Sequence, residues 1–343
     1  MKKILLSASL VFTMLSASAQ VLYTDDFSDL SVGNIGDDTT GMTTGQGDWY
    51  TLATGGEDEN FQIVDNGDAH GNVFQLTGSA TAAGTRFMWK DGFPDAWNFR
   101  EAGNNTLEVE YDYFTGPATT SKNSMRIMVF NEDRTKFLGG LLYTADTRVL
   151  SGLSYYSNAG TLDNYSFNPT SGAVALPSNT WIRMGFSFNL TSGQVLCKAA
   201  VAGSPTYLLN MQIPGAAAAV PPHQIEFIAT AGVGNNVATV GKFDNVLVRA
   251  VNAGSLLGVE QAVVANNTFA VYPNPATNFI NVSSSNSKVT SVSMADINGR
   301  IVKQNSYDNV SNVEINISDL ASGVYLMKIK SANGETTKKI MKD

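Results

Sequence analysis

The 343-residue sequence is poor in the side chains that build most catalytic and metal centres: it has one cysteine and two histidines. The single cysteine, Cys197, excludes an intramolecular disulfide, and its apolar neighbours predict a buried thiol on a strand rather than a nucleophile. His70 and His223 are too few for a histidine-rich metal site and leave little from which to build a catalytic triad. The sequence therefore predicts that no cofactor is required.

Positive charge is also scarce, with 22 Lys and Arg against 30 Asp and Glu and a net charge of −8. Residues 269–343 hold eight basic and six acidic side chains, so the negative excess lies before them. Nucleic acids and anionic lipids are bound through basic patches. Neither is predicted as a partner.

Long hydrophobic runs are absent except near the start of the sequence. Residues 4–15 are mostly apolar and follow Lys2 and Lys3, and Ala17-Ser18-Ala19 then fits the small-x-small pattern that precedes cleavage. The run is shorter than the roughly 20 apolar residues that span a bilayer. Residues 1–19 are therefore predicted to be a signal peptide, and no transmembrane segment is predicted after them.

Residues 20–250 show the pattern of an all-β domain. Short apolar alternations are separated by glycine, asparagine, serine and proline, and no long stretch has a 3.6-residue period. Residues 107–113 alternate strictly, with Glu108, Glu110 and Asp112 opposite the apolar side chains. We expect those three acids to lie on a strand face in contact with water.

Three segments resemble the concanavalin A-like lectin and glucanase jelly roll: Asp25-Asp26-Phe27, Thr180-Trp181 and residues 243–248. The resemblance implies a jelly-roll sandwich, which does not by itself determine function. The glutamate-x-aspartate-x-x-glutamate signature of laminarinase-like members is not completed in residues 108–113. His223-Gln224-Ile225 has the composition of an alginate-lyase motif in the wrong order. No catalytic residue is therefore assigned.

Aromatic side chains mixed with polar ones mark two candidate carbohydrate-binding segments. Sugar sites stack a pyranose ring on an aromatic face and surround it with amides and acids. The first segment contains Trp89, Asp91, Asp95 and Trp97, and the second contains Tyr155 and Tyr156. The alternative for each ring is a place in the core or an anchor for a loop.

A structural calcium ion is a further prediction, because calcium prefers several carboxylate and carbonyl oxygens. Jelly rolls bring their first and last strands together, which would unite Asp25 or Asp26 with Asp244. The acidic turns at residues 57–60 and 65–68 are rival sites. Solvated turn acids, without a metal, are the alternative explanation for each set.

The last segment, residues 269–343, carries a series of short motifs between turn formers. Asn298-Gly299 between alternating stretches is a strong hairpin signal. The series resembles the type A C-terminal sorting domain of the type IX secretion system of Bacteroidetes. Its motif residues are Tyr272, Pro273, Asn274, Pro275, Gly299, Gly323 and Tyr325. An ordinary immunoglobulin-like accessory module is the alternative.

The sorting-domain resemblance implies a small immunoglobulin-like β-sandwich, and it implies the secretion machinery and its sortase as partners. It also implies a location at the cell surface or outside the cell. The predicted organisation is a signal peptide (1–19), a jelly-roll payload (20–250), a linker (251–268) and the sorting domain (269–343). The payload is predicted to bind polysaccharide without being an enzyme; a polysaccharide-degrading enzyme or a non-catalytic adhesin or matrix protein are the alternatives.

Overall fold

The computed structural model describes residues 19–252, 254–257, 269–283, 288–296, 300–331 and 334–343. The predicted signal peptide up to residue 18, most of the predicted linker and the Asn298-Gly299 turn lie outside these ranges. In the described part of the chain, no helix is long and apolar enough to cross a membrane.

The described part of the payload is built from 18 strands, numbered in chain order, one short α-helix, α1 (Phe93–Asn98), and two single-turn 3-10 helices, Gln46–Asp48 and Asp58–Asn60. The first nine strands are β1 (Gln20–Asp25), β2 (Gly33–Asn34), β3 (Thr40–Thr44), β4 (Trp49–Thr54), β5 (Phe61–Asp65), β6 (Asn72–Thr77), β7 (Thr85–Lys90), β8 (Thr106–Phe114) and β9 (Ser124–Phe130). The second nine are β10 (Phe137–Thr144), β11 (Val149–Asn158), β12 (Thr161–Phe167), β13 (Val174–Ala175), β14 (Trp181–Asn189), β15 (Val195–Val201), β16 (Tyr207–Ile213), β17 (Gln224–Thr230) and β18 (Val240–Val251).

These strands form two nine-stranded antiparallel sheets. Sheet A has the order β16-β15-β14-β8-β18-β6-β5-β2, with β1 paired to β18. Sheet B has the order β12-β11-β10-β9-β17-β7-β4-β3, with β13 paired to β11. Every pair in both sheets is antiparallel and most neighbours are distant in sequence, so the predicted all-β, two-sheet jelly-roll class is confirmed.

The core lies between the two sheets because the apolar residues of each strand alternate toward it. Phe74 and Phe243 of sheet A meet Phe227 of sheet B edge to face, with ring centroids 5.7 and 5.2 Å apart. Trp49 is fully buried against the same Phe227 ring at 5.6 Å. Residues that alternate away from this core form the outer faces of the sheets.

The sorting domain consists of two smaller antiparallel sheets with a core of their own. One sheet has the order β19-β20-β23 and the other β22-β21-β24-β25. Their strands are β19 (Ala270–Tyr272), β20 (Phe279–Ser283), β21 (Val289–Asp296), β22 (Ile301–Val310), β23 (Asn312–Asn316), β24 (Gly323–Ser331) and β25 (Gly334–Lys342). The prediction of a second, small β-sandwich is confirmed.

Candidate functional site

The outer face of sheet B carries an aromatic pair beside a buried acid. Antiparallel register places Tyr50 of β4 opposite Trp89 of β7, and Trp89 opposite Glu226 of β17. The Tyr50 and Trp89 rings stack with centroids 5.5 Å apart and planes 10° apart. Both rings are half-buried, so they cover the sheet and still meet solvent. The nearby Asp91 carboxylate raises the pKa of the Tyr50 phenol.

An open cleft of about 250 Å³ lies at the end of β7 on this side of the molecule. The chain turns there through Gly92, whose φ of 89° falls in the left-handed region that glycine adopts without strain, and enters α1 with Pro94 in its first turn. The turn brings Asp91 and Asp95 to the same concavity as Gln224, which begins β17. The cleft is lined by Lys90, Asp91, Gly92, Pro94, Asp95, His223 and Gln224.

Glu226 is the most unusual group on the outer face of sheet B. Its side chain is 0 % exposed, although it points away from the core, because Arg134 from the β9–β10 loop lies across it. Arg134 Nη2 donates to Glu226 Oε2 at 2.8 Å, and Glu226 Oε1 is buried with no hydrogen-bond partner. Burial raises the pKa of the Glu226 carboxyl to about 7, an effect that Arg134 partly offsets. The group therefore changes protonation near neutral pH.

The middle of the same face is apolar. Met128, Phe130, Leu153 and Ile228 form a cluster separate from the main core. Arg134 closes over it, with its guanidinium carbon 5.3 Å from the Phe130 ring. We call the outer surface of sheet B from β4 to β11 the B-face.

The outer face of sheet A is a closed network of ion pairs instead. Arg249 donates to Glu108 at 2.7 Å and to Glu110 at 2.6 Å, and Arg183 lies 3.1 Å from Glu110 and 3.5 Å from Asp112. The expectation that Glu108, Glu110 and Asp112 face water is wrong, since these residues are 0, 6 and 8 % exposed. Buried charges must be paired, and the two arginines supply the pairs.

The network is covered by residues 254–257, which we call the strap. The Ser255 backbone N–H donates to Glu108 at 2.6 Å, and the Leu257 N–H donates to Glu110 at 3.0 Å. Leu256 is 1 % exposed and packs over Gly185, where an added Cβ would come within 3.0 Å of it. The linker was predicted to begin at residue 251, but β18 runs through that residue and the payload's contacts continue to Leu257.

The prediction that Trp97 belongs to a glycan platform is wrong. Its side chain is 1 % exposed and belongs to the main core, where it stacks on Phe93 with centroids 6.4 Å apart. Pro94 starts a helix in this segment, and helical spacing turns both rings toward the sandwich. Trp89, by contrast, lies on the B-face, and Asp91 and Asp95 line the cleft beside it.

The second predicted sugar-binding segment lies elsewhere in sheet B. Tyr155 and Tyr156 belong to β11, which is separated from the strand of Trp89 by three strands. Tyr155 is partly buried against the core and has the Lys136 ammonium 5.5 Å from its ring. Tyr156 meets Phe167 edge to face at 5.3 Å. These two rings therefore do not belong to the platform formed by Trp89.

The three predicted calcium ligands each have protein partners. Asp25 accepts hydrogen bonds from Lys90 at 2.6 Å and from the Trp49 indole at 3.2 Å. Asp244 is 2 % exposed, and burial raises its pKa to about 8. Among the described residues, no three His, Cys, Asp or Glu side chains form a group that would hold a metal. A calcium ion held by Asp25, Asp26 and Asp244 stays a prediction, which a melting curve in chelator would test.

The sorting-motif residues within the described ranges shape one end of the small sandwich. The Asn274 side chain donates to the Lys339 carbonyl at 2.9 Å and accepts from the Met341 N–H at 2.7 Å, so it joins the motif to β25. The peptide bonds before Pro273 and Pro275 are both cis. Tyr325 is 8 % exposed and donates to the Ala321 carbonyl at 2.8 Å. Tyr272 is half-exposed, Gly323 opens β24, and Gly299 lies outside the described residues.

Sequence reasoning missed Tyr50, Arg134 and Glu226. Glu226 did carry a signal, because it is the one charged residue in the strand Gln224–Thr230. A charge inside an otherwise apolar strand predicts either a buried pair or a functional group. Arg134 lies in a polar loop, and nothing in that loop indicates that it folds back over the sheet.

Residues 270–343 match the family described as "Secretion system C-terminal sorting domain". This segment is therefore a sorting domain, and it directs export by the type IX secretion system to the cell surface or the extracellular space. It implies contact with that secretion machinery. The chain has no detectable similarity to a curated protein sequence.

Several solved structures are similar to this chain in fold. β-Agarase A in complex with oligoagarose matches with a TM-score of 0.42 and 9% identity, over 69% of this chain and 93% of that one. The CBM2 module of Lactobacillus casei BL23 phage J-1 evolved Dit matches with a TM-score of 0.41 and 8% identity, over 69% and 98%. A legume lectin-like domain from Entamoeba histolytica matches with a TM-score of 0.38 and 10% identity, over 59% and 89%. At these identities and TM-scores the similarity is one of overall fold.

Proposed function

We propose that this protein is a secreted polysaccharide-binding protein whose payload binds glycan on the B-face. The observation that carries the proposal is the stacked Tyr50–Trp89 pair, which lies on the outer side of a rigid sheet next to an open cleft. Aromatic rings offer a flat apolar surface to the C–H groups of a pyranose. Carboxylate, amide and imidazole groups in the cleft supply partners for its hydroxyls.

The same arrangement explains why the outer face of sheet A is not the favoured site. Glu108, Glu110 and Asp112 already accept hydrogen bonds from arginines and from the strap. A ligand would have to displace those partners and leave buried charges unpaired, which costs several kcal/mol. The B-face instead presents rings and polar groups that need no such rearrangement.

The direct test is a glycan array with the purified full chain, followed by affinity measurements on the best polysaccharide. Trp89→Ala and Tyr50→Ala should each weaken binding roughly tenfold, since an aromatic contact of about 1.5 kcal/mol corresponds to that factor. Trp181→Ala is the matched control. Trp181 is also an aromatic residue with a stacking partner, His70, but it lies on β14 of sheet A, away from the B-face. Circular dichroism would verify that each variant is folded.

Two results would contradict the proposal. Failure of the wild-type chain to bind any polysaccharide would favour the adhesin or matrix-protein alternative. Equal affinity of the Trp89→Ala variant and the wild type would show that the B-face is not the binding surface.

A polysaccharide-degrading enzyme is the second candidate, and Glu226 is the observation that favours it. A buried carboxyl whose pKa is about 7 suits a general acid at neutral pH. Release of reducing ends by the wild type, and loss of that release in Glu226→Gln with glycan binding retained, would replace the binding function by catalysis. We expect no release of reducing ends.

A further inference from the structure

Arg126 is a cation on the B-face that lacks a carboxylate partner. It lies on β9, and the register places Ile228 of β17 on one side and Leu142 of β10 on the other. Its Nη2 donates to Ser124 Oγ at 3.0 Å, while its Nε is buried with no hydrogen-bond partner. Among the described residues, no carboxylate lies within ion-pair distance of it. A cation in apolar surroundings is costly unless it is paired.

Three other arginines of the payload have carboxylate partners, whereas Arg86 and Arg100 donate to backbone carbonyls and side-chain amide oxygens. Arg249 and Arg183 form ion pairs with carboxylates on the outer face of sheet A, and Arg134 forms an ion pair with Glu226. Arg126 is one of three cations gathered over the B-face, together with Arg134 and Lys136 of the β9–β10 loop. These three cations lie in a chain whose net charge is −8.

The nearest carboxylate on the adjacent strand is Glu226, which is already paired with Arg134. Glu226 pairs with Met128 in the register, while Arg126 pairs with Ile228, so Arg126 and Glu226 are diagonal neighbours on adjacent strands. Diagonal neighbours of this kind are roughly 7–8 Å apart, which is within reach of long side chains. Glu226 Oε1 has no hydrogen-bond partner either. The two unsatisfied groups have opposite polarity, and they are not bonded to each other.

We propose that the glycan bound on the B-face is anionic and that Arg126 binds its carboxylate or sulfate group. A guanidinium offers two parallel N–H donors to such a group. A sugar ring seated there would pair the Arg126 guanidinium through its anionic substituent. This inference rests on the proposed function and specifies the class of polysaccharide. The chain's overall negative charge disfavours nucleic acid as the source of the anion.

The experiment compares charged polysaccharides with neutral ones of the same backbone, using the full chain. Polygalacturonate is compared with its fully methyl-esterified form, and carrageenan is compared with its desulfated form. The two pairs distinguish carboxylate from sulfate. We expect the wild type to bind one anionic member at least tenfold more tightly than its neutral counterpart, because a hydrogen bond to a charged group has that effect.

Arg126→Met should remove this preference and leave the affinity for the neutral polymer unchanged. Trp89→Ala should instead weaken binding of both members. Arg126→Lys keeps the charge and should retain part of the preference.

Arg300→Met is the control, since Arg300 is exposed in the sorting domain. Thermal melts of all variants verify folding, and we expect Arg126→Met to melt no lower than the wild type because an unpaired buried charge is removed.

The outcomes separate the two proposals. The wild type could bind charged and neutral polymers equally, and Trp89→Ala could lose binding to both kinds of polymer. That result would overturn the role of Arg126 and leave the proposed function intact. An anionic preference that survives in Arg126→Met would also overturn it. No binding to any of the four polymers would overturn the inference, and the glycan array would then decide whether the proposed function stands.

Discussion

The two sheets of the payload have outer faces of opposite character. On sheet A, acids and arginines are paired with one another and sealed by the strap, so almost every polar group has a partner. On the B-face, Glu226 and Arg126 each keep a buried atom without a partner, and stacked rings meet solvent beside a cleft. Polar groups that are fully paired stabilise a fold. Polar groups that are buried without partners are costly, and this difference is the reason for placing the proposed ligand on the B-face.

The largest loss of stability is expected when the ion-pair network on the outer face of sheet A is broken. Arg249→Met leaves Glu108 and Glu110 without their main cation in a buried site, and the free energy of unfolding should fall by about 3–5 kcal/mol. Urea denaturation of the payload transition measures this change. Arg300→Met removes a side chain that is 79 % exposed and should cost no more than about 1 kcal/mol. Similar losses for the two variants would mean that the network does not stabilise the payload.

Two tryptophans eight residues apart provide the next test, because one lies in the core and the other on the B-face. Trp97→Ala should cost about 3–5 kcal/mol of stability, as expected for a fully buried ring. Trp89→Ala should cost less, since its ring is half-buried. Thermal unfolding followed by circular dichroism compares the two. A larger loss for Trp89→Ala would show that Trp89 belongs to the core.

The strap should contribute a smaller but measurable amount. Leu256→Ala removes a buried side chain that packs over Gly185, and we expect a loss of about 2–4 kcal/mol. Leu162→Ala, at a residue that is 54 % exposed, is the control and should stay within about 0.5 kcal/mol of the wild type. An unchanged stability of Leu256→Ala would place the end of the payload at β18.

The last test concerns the pH dependence of stability. Burial raises the pKa of Asp244 from 3.8 to about 8, so the folded state holds the proton more tightly than the unfolded state. The resulting stabilisation is complete below about pH 4 and is lost as the pH rises through about 8. In Asp244→Asn this part of the pH dependence should disappear. Stability measured at intervals from pH 4 to 9 tests the prediction, and parallel curves for variant and wild type would contradict it.

Periodicity predicted the strands better than it predicted the surroundings of their side chains. The strict alternation of residues 107–113 lies within β8, and Tyr207–Ile213 and Val240–Val251 are strands with the predicted limits. The same alternation suggested that Glu108, Glu110 and Asp112 face water. That inference was wrong because a strand's own sequence shows which residues share a face, but not what covers that face.

The candidate site was predicted in part. Trp89, Asp91 and Asp95 were selected because an aromatic residue and acids occur together in a turn-rich segment, and the structure places them beside the cleft. Trp97 satisfied the same rule and proved to be in the core, because the short helix α1 rotates it inward. Tyr50 is distant in the sequence and becomes part of the platform through the pairing of β4 with β7.

The sequence alone determined the all-β class, the absence of disulfides and the sorting domain, because each depends on composition, on local periodicity or on short motifs. The tertiary structure decided which polar groups are paired and which are not. Glu108 and Glu226 are both acids inside alternating strands, and both are fully buried. One meets Arg249 and the strap, while the other meets Arg134 and keeps an oxygen unpaired. That difference arises from residues more than 90 positions away in the chain, and long-range contacts of this kind are not encoded in any local pattern.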